Sequence, residues 1–505
     1  MIEPSFAAFE ARYEAGAGVL LSSRLVADLE TPVSAFLKLS AGRSGGIFLL
    51  ESVEGGAARG RYSMIGLDPD IVWRCFGDRA EINRNALVEP DDFSPCPEPP
   101  LEALRVLIAQ SRIEAGEELP PMAAGVFGYL GYDMVRQMER LPPAKPDPIG
   151  VPDAIMIRPT IMVVFDTVKD EISVVTPVRA AAGLTAQAAY ERGCERIEAV
   201  VAILEGPLAH AAASTDLHLL ATPPKSNTSE ARFLEMVERA KDYIRAGDIF
   251  QVVLSQRFTA PFALPAFSLY RALRRVNPAP FLCYLDFGSF QIVCSSPEIL
   301  VRVRDGKVTI RPIAGTRWRG KTAAEDEALA ADLLADEKEC AEHLMLLDLG
   351  RNDVGRVAQI GTVEVTEKFM IERYSHVMHI VSNVEGALAP GKDAIDALAA
   401  GFPAGTVSGA PKVRAMQIID ELETDKRGIY AGCIGYFGAN GDMDTCIILR
   451  TSVVKDGYMH VQAGAGVVYD SDPAYEQRET INKAQALFRA AEEAVRFASR
   501  VKRGR

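Results

Sequence analysis

Ile299-Leu-Val-Arg-Val-Arg-Asp-Gly-Lys-Val-Thr-Ile-Arg311 is the stretch on which the fold class turns. A strand-forming run, an Asp305-Gly306 turn and a second strand-forming run read as a β-hairpin, because Asp-Gly readily adopts the two positive φ angles of a two-residue turn. Working outward, strand patterns recur at Phe281 to Phe287, Phe290 to Cys294 and Ile249 to Phe258, and again at Ile429 to Phe437 and Asp444 to Val454, split by Ala439-Asn-Gly-Asp442. Helical patterns come in blocks, from about Ala323 to Leu349, Asp393 to Ala400, Val413 to Leu422 and Tyr475 to Phe497. Hairpins grouped apart from helices predict an α+β protein with large antiparallel β-sheets in a sandwich flanked by helices.

The N-terminal part carries strand-like runs at Gly46 to Leu50, Ile71 to Cys75 and Ile155 to Phe165, an Ala-rich helix near Leu184 to Leu204, and two proline-rich loops at 89–100 and 141–152. The polar segment Thr222-Pro-Pro-Lys-Ser-Asn-Thr-Ser229 marks a boundary, after which Asn227 and Glu230 resemble a capping box opening a helix that ends at Gly247. The expected organisation is an N-terminal region over 1–225, a second region over 226–495 and a basic tail over 496–505. No internal repeat is evident, and Asn227-Thr-Ser229 is read as a chance match to the glycosylation pattern.

The 505 residues carry a net charge of −13. That balance argues against nucleic acid as the main partner, since phosphate binding needs a basic surface. Eight scattered cysteines without a Cys-x-x-Cys pattern predict thiols used as small apolar residues in a reducing compartment. No stretch has the length and apolarity of a membrane span, and Met1 to Val19 lacks the charge pattern of a signal peptide, so no membrane association and a cytoplasmic location are expected.

Two acidic pairs share one spacing, Glu339-x-x-Glu342 and Glu476-x-x-Glu479. Residues three apart share a helix face, so each pair aims two carboxylates one way. An isolated pair of this kind is more often a solvated surface, but Cys340, Ala341, Leu344, Met345, Leu346 and Leu347 make the first helix mostly apolar, and buried carboxylates need partners. Four converging carboxylates without a Cys or His cluster suggest a hard, oxygen-preferring ion, Mg²⁺.

Ser295-Ser-Pro-Glu298 fixes a carboxyl behind a proline, where a dry setting suits a general acid. Arg450 closes an apolar run and has the shape to grip a carboxylate, against the alternative of a structural ion pair. Arg311 and Arg317 crowd a Gly-Thr turn as a weak anion signal, and Gly401-Phe-Pro-Ala-Gly-Thr-Val-Ser-Gly-Ala-Pro-Lys412 precedes a helix whose amides, with Thr406, are expected to meet an anion or small substrate. Gln462-Ala-Gly-Ala-Gly-Val-Val468 is expected to let the backbone approach a small substrate closely. His376 and His379 sit in no metal pattern.

In this order the motifs resemble those of the chorismate-utilising enzymes, most closely the component I subunits of anthranilate synthases. The strings that carry the resemblance are Phe250-Gln-Val-Val-Leu-Ser255, Ser295-Ser-Pro-Glu298, Pro312-Ile-Ala-Gly-Thr316, Glu342-His-Leu-Met-Leu-Leu-Asp-Leu-Gly-Arg-Asn-Asp353, Gly405-Thr-Val-Ser-Gly-Ala-Pro-Lys412 and Gln462 to Val468. The resemblance implies Mg²⁺ held directly by Glu342 and Glu479, with Glu339 and Glu476 in support. It implies Tyr430 and Arg450 on the enolpyruvyl carboxylate of chorismate, Thr406 and the backbone of Gly464, Ala465 and Gly466 shaping the pocket, Glu298 as the acid and His379 in pyruvate loss and aromatisation.

Gln251 stands where isochorismate and salicylate synthases resemble one another in having a water-activating Lys, and Ala314 where aminodeoxychorismate synthases carry a nucleophilic Lys. Both differences imply ammonia as nucleophile and anthranilate as product, with aminodeoxychorismate or aminodeoxyisochorismate synthesis as the alternative and an inactive tryptophan-sensing protein as the alternative of another class. Nothing resembles a glutamine amidotransferase, so a partner amidotransferase subunit in a hetero-oligomer is implied. The resemblance also implies feedback by tryptophan at a site with Glu51 and Ser52 on one wall and Asn277, Pro278 and Ala279 on the other, with Arg61 to Ser63 nearby.

Overall fold

The computed structural model describes residues 1–52, 60–114, 116, 119–208, 222–374 and 377–499. His376 and the tail from residue 500 lie outside the described residues. Among the described residues no helix is long and apolar enough to cross a membrane.

Among the described residues every strand pairing is antiparallel, and the predicted α+β sandwich is what the chain builds. Asp305 and Gly306 take φ of 50° and 72°, as the hairpin reading requires. Two long strands, Tyr62–Phe76 and Ala154–Asp166, pair along their full lengths. At Asp68, whose φ is 52°, the register slips between Pro69 and Ile71. Above this bulge Tyr62–Phe76 pairs with Ile47–Ser52, and below it with Arg79–Asn83. Ala154–Asp166 likewise pairs with Glu171–Val178 at one end and Gly125–Leu130 at the other. Bulged strands of this kind pass from one sheet to the other, so the two layers remain one hydrogen-bonded network.

The first layer continues from Ile47–Ser52 through Phe281–Asp286, Gln291–Ser296, Thr451–Lys455, Tyr458–Val467 and Gln251–Pro261. The second runs from Gly125–Leu130 through Cys433–Gly438, Met443–Ile447, Ile299–Arg304, Lys307–Ile310 and Val377–Ala387 to Glu364–Arg373. Phe48, Leu50, Phe127, Ile155, Ile292 and Ile434 pack between the layers. Alternate residues Ile47 and Leu49 face outward under the helices Ala266–Val276 and Pro473–Ser499. This two-sided burial accounts for the unbroken apolar run at 47–50. Residues on both sides of position 225 share the network.

Several elements differ from expectation. The helix after residue 226 is capped by Ser229, whose hydroxyl accepts from the Arg232 amide, while Asn227 bonds Asp425 and the Arg257 amide. The helical stretch at 323–349 is two helices, Ala323–Ala335 and Glu337–Gly355, because Asp336 caps the second through the Lys338 and Glu339 amides. The run 444–454 is two strands, Met443–Ile447 and Thr451–Lys455, one in each layer. Glu364–Arg373 is a strand that charge-rich composition concealed, and Val377–Ala387 is a further strand paired with it.

Candidate active site

Two adjacent strand pairs change layers at one place. Gln291–Ser296 lies in the first layer and Ile299–Arg304 in the second, with Glu298 in the crossing. Met443–Ile447 and Thr451–Lys455 make the same change around Arg450, a non-glycine residue at φ 48°. The crossings are stitched together by the Ile447 amide on the Glu298 carbonyl at 3.0 Å and the Ser295 amide on the Arg450 carbonyl at 3.3 Å. A left-handed backbone is costly for arginine and persists where surrounding structure imposes it. The crossing therefore aims a cation and a carboxyl into one space.

The Thr406 hydroxyl donates to Glu298 Oε2 at 2.9 Å. Burial pushes the Glu298 carboxyl up, while Thr406, Arg450 and Lys483 oppose the shift. Burial pushes the Arg450 guanidinium down, and Glu298 is the charge that counters it. Arg450 is thus an arginine whose nearby opposite charge is the candidate acid, rather than the partner of a structural ion pair. Facing it, His379 Nδ1 lies 2.8 Å from the Gly315 carbonyl and 3.1 Å from the Thr316 hydroxyl. A carbonyl only accepts, so Nδ1 carries the proton in that bond. Burial lowers the His379 pKa and Arg450 adds to the effect, while the bond to the Gly315 carbonyl opposes it.

The floor of the space is the strand Tyr458–Val467. A Cβ on Gly464 would stand 2.8 Å from the Tyr430 hydroxyl and 3.1 Å from the Leu254 carbonyl, and one on Gly466 would stand 2.8 Å from Gln251 Nε2. Close approach is the reason for glycine at both positions. Ala465 is buried between them. Tyr430 is held near Gly464 and the Arg427 guanidinium, which lies 5.5 Å from its ring.

The acidic pairs sit at the mouth of this space. Glu339 and Glu342 project from Glu337–Gly355, and Glu476 and Glu479 from Pro473–Ser499. Gln251 Nε2 donates to Glu342 Oε1 at 3.1 Å, and Lys483 Nζ reaches Glu479 Oε1 at 2.8 Å and the Gly464 carbonyl at 3.0 Å. The Lys338 ammonium is raised by its bond to Asp470, with Glu342 from one pair and Glu476 from the other adding to the effect. Burial and the bonded neighbour Glu479 push Glu476 up to about 7; burial and Glu342 raise Glu339. Lys483 at Glu479 and Arg317 at Glu339 only partly offset the four carboxylates. No three of these carboxylates converge within 4.8 Å; among the described residues only the thiols of Cys283, Cys294 and Cys446 do so. The donor set of the two pairs is all oxygen, the type that a hard ion such as Mg²⁺ takes.

Other expectations resolve differently. Arg311 is engaged by Glu367 and Glu372, and Arg317 by Asp332, Asp336 and Glu339, so neither is an anion site. Within the segment at 401–412 Thr406 bonds Glu298, while Gly409, at φ 134°, would place a Cβ 2.2 Å from the Gln251 carbonyl, and Lys412 pairs with Asp353 at 2.7 Å. Glu51 and Ser52 line a cavity of about 630 Å³ with Arg61, Tyr62, Pro280 and Phe281, but Asn277, Pro278 and Ala279 are not among its lining residues. Asn277 instead caps the preceding helix and accepts from Ser295 Oγ through its carbonyl at 2.6 Å. Glu51 is taken up by Tyr270 at 2.5 Å and Arg274 at 2.7 Å, which makes it a buried anchor of that wall. Lys483 and Lys338 were not singled out from the sequence; Lys483, one helical turn after Glu479, had a legible signal in that spacing.

The profile of the chorismate binding enzyme family matches residues 65–489, and the chain belongs to this family. Anthranilate synthase component 1 of Cereibacter sphaeroides is 58% identical over 503 residues, covering 99% of this chain and 100% of that one. The protein of the same name from Pseudomonas aeruginosa is 49% identical, covering 93% and 94%. The crystal structure of anthranilate synthase component I from Streptococcus pneumoniae superposes with a TM-score of 0.74 at 38% identity, covering 92% and 99%. Within the family, the chain groups with the anthranilate synthase component 1 proteins. The menaquinone-specific isochorismate synthase of Escherichia coli, 19% identical with a TM-score of 0.69 over 97% of this chain and 100% of that one, shares the fold.

Proposed function

We propose that this chain is the subunit that converts chorismate and ammonia to anthranilate and pyruvate, the first step towards tryptophan. The observation that carries the reading is the raised Glu298 carboxyl, bonded to Thr406 and gathered with Arg450 and His379. Arg450 and Tyr430 hold the enolpyruvyl carboxylate, and Gly464 to Gly466 let the ring lie against backbone. Glu298 donates its proton to the departing C4 hydroxyl while the C2–N bond forms and the ring double bond shifts. His379 assists the second stage, in which the C2 proton is lost as the C3–O bond breaks, the enolpyruvyl methylene gains a proton to leave as pyruvate, and the ring becomes aromatic.

The residues fit Mg²⁺: Glu342 and Glu479 would hold it directly, with Glu339 and Glu476 in support through water. When bound, it supplies positive charge against the ring carboxylate of the substrate.

Gln251 donates to Glu342 and carries no ammonium group, and Ala314 offers no nucleophile, which favours free ammonia over water or lysine at C2. Ammonia is supplied from glutamine by a separate amidotransferase subunit in a hetero-oligomer. Tryptophan inhibits by occupying the cavity lined by Glu51 and Ser52.

The test is purified protein with chorismate, an ammonium salt and Mg²⁺. Anthranilate fluorescence is expected, with the product mass lacking the enolpyruvyl group. Folded protein that yields no product, or one that keeps the enolpyruvyl group, refutes the assignment.

A further inference from the structure

Directly behind the two layer crossings lie three thiols that the proposed reaction does not use. Cys283 and Cys294 are cross-strand neighbours in the first layer, and Cys446 comes from Met443–Ile447 in the second. Their sulfurs all lie within 4.8 Å of one another, and all three residues are buried. None is in a disulfide. Cys283 and Cys446 line the 630 Å³ cavity, together with Arg302 and Arg304, while Cys294 is fully buried.

Packing alone asks for small apolar side chains here, and one cysteine meets that need as well as three. Convergence from three strands and two layers is the geometry of a ligand set. Tetrahedral zinc thiolates have Zn–S bonds of about 2.3 Å, which sets their sulfurs about 3.8 Å apart, within reach of small side-chain rotations here. A hard ion is excluded by the donor type. The cavity leaves the fourth position open to water or to a ligand donor atom.

We propose that Cys283, Cys294 and Cys446 form a site for a thiophilic divalent ion of the zinc class, entered from the cavity. Three S–H bonds break, three metal–sulfur bonds form, and three protons leave to solvent with no change of oxidation state. The complex has a net charge of −1, and the guanidinium groups of Arg302 and Arg304 share its cavity wall. Because Cys294 and Cys446 lie on the strands that lead to Glu298 and Arg450, the ion would brace the two crossings.

The test uses the full-length, reduced protein without oxygen, with Co²⁺ as the spectroscopic probe. One equivalent should produce a sulfur-to-cobalt charge-transfer band that stoichiometric Zn²⁺ removes. The Cys283→Ser/Cys294→Ser/Cys446→Ser variant should lose the band, and Glu342→Ala/Glu479→Ala should keep it, separating this site from the carboxylates. Because serine in this core endangers folding, the wild-type protein supplies a second measurement: Zn²⁺ should slow alkylation of Cys283, Cys294 and Cys446 selectively, leaving Cys96 and Cys340 unchanged. Absence of the band at one equivalent, its persistence in the triple variant, or alkylation of the three thiols unaffected by Zn²⁺ overturns the proposal.

Discussion

Lys412 offers a direct test of how the segment at 401–412 works. Its ammonium lies 2.7 Å from Asp353 Oδ2, and the two side chains are 8% and 6% exposed. The pair ties the helix carrying Glu342 to the helix Lys412–Leu422. Burial pushes Asp353 up and Lys412 down, and each partner opposes the shift in the other. Lys412→Met leaves a buried carboxylate without its cation, which costs about 3–5 kcal/mol. The sign with pH follows. Without Lys412, Asp353 keeps a raised pKa in the folded state, so the defect is absent well below the ordinary carboxylate value of about 4 and grows as pH rises through it. Lys412→Met/Asp353→Leu removes both charges and should recover most of the loss, since replacing a buried pair by apolar residues is often neutral. Urea unfolding at pH 4 and pH 8 measures stability, and steady-state kinetics measure the KM for chorismate. The double variant should keep its KM, because the pair touches packing and not substrate. A single variant shifted by less than about 1 kcal/mol would refute the energetic argument. A stable double variant with a greatly raised KM would restore the view of this segment as an anion site.

Other outcomes follow from the same geometry. Glu298→Gln should lower kcat by about 10² to 10⁴; because the wild-type carboxyl is held above its ordinary value, the variant should also melt higher at pH 8, an advantage that disappears towards pH 4, as differential scanning at both pH values will show. Gly464→Ala sets a methyl group against the Tyr430 hydroxyl and the Leu254 carbonyl, at a cost of about 1–3 kcal/mol, and should impair chorismate binding in a protein whose circular dichroism is unchanged. Glu342→Ala or Glu479→Ala should abolish Mg²⁺-dependent turnover; retained Mg²⁺ activation at either position would show that the direct ligands are wrongly chosen.

Much of the fold was legible because hairpins leave local marks. Asp305-Gly306 specifies its own turn, and the apolar run at 46–50 reads as a strand. Glu364–Arg373 was not legible, since a charge-rich strand has no periodic apolar face to report it. The break at Arg450 was hidden for another reason: the run 444–454 is strand-like throughout, and the change of layer is imposed by the strands on either side.

The sequence alone determined the donor chemistry: four glutamates in two pairs, a carboxyl after Ser-Ser-Pro, glycines where backbone must approach, and Gln251 and Ala314 in place of lysines. Those are properties of residue type and short spacing. Only the tertiary structure decided which charges are available. It committed Arg311, Arg317 and Lys412 to carboxylates, tied Glu51 to Tyr270 and Arg274, and left Arg450 with Glu298 as its charged neighbour. Availability depends on which groups are buried together, and residues more than a hundred positions apart are brought together by strand pairing, which no local pattern encodes.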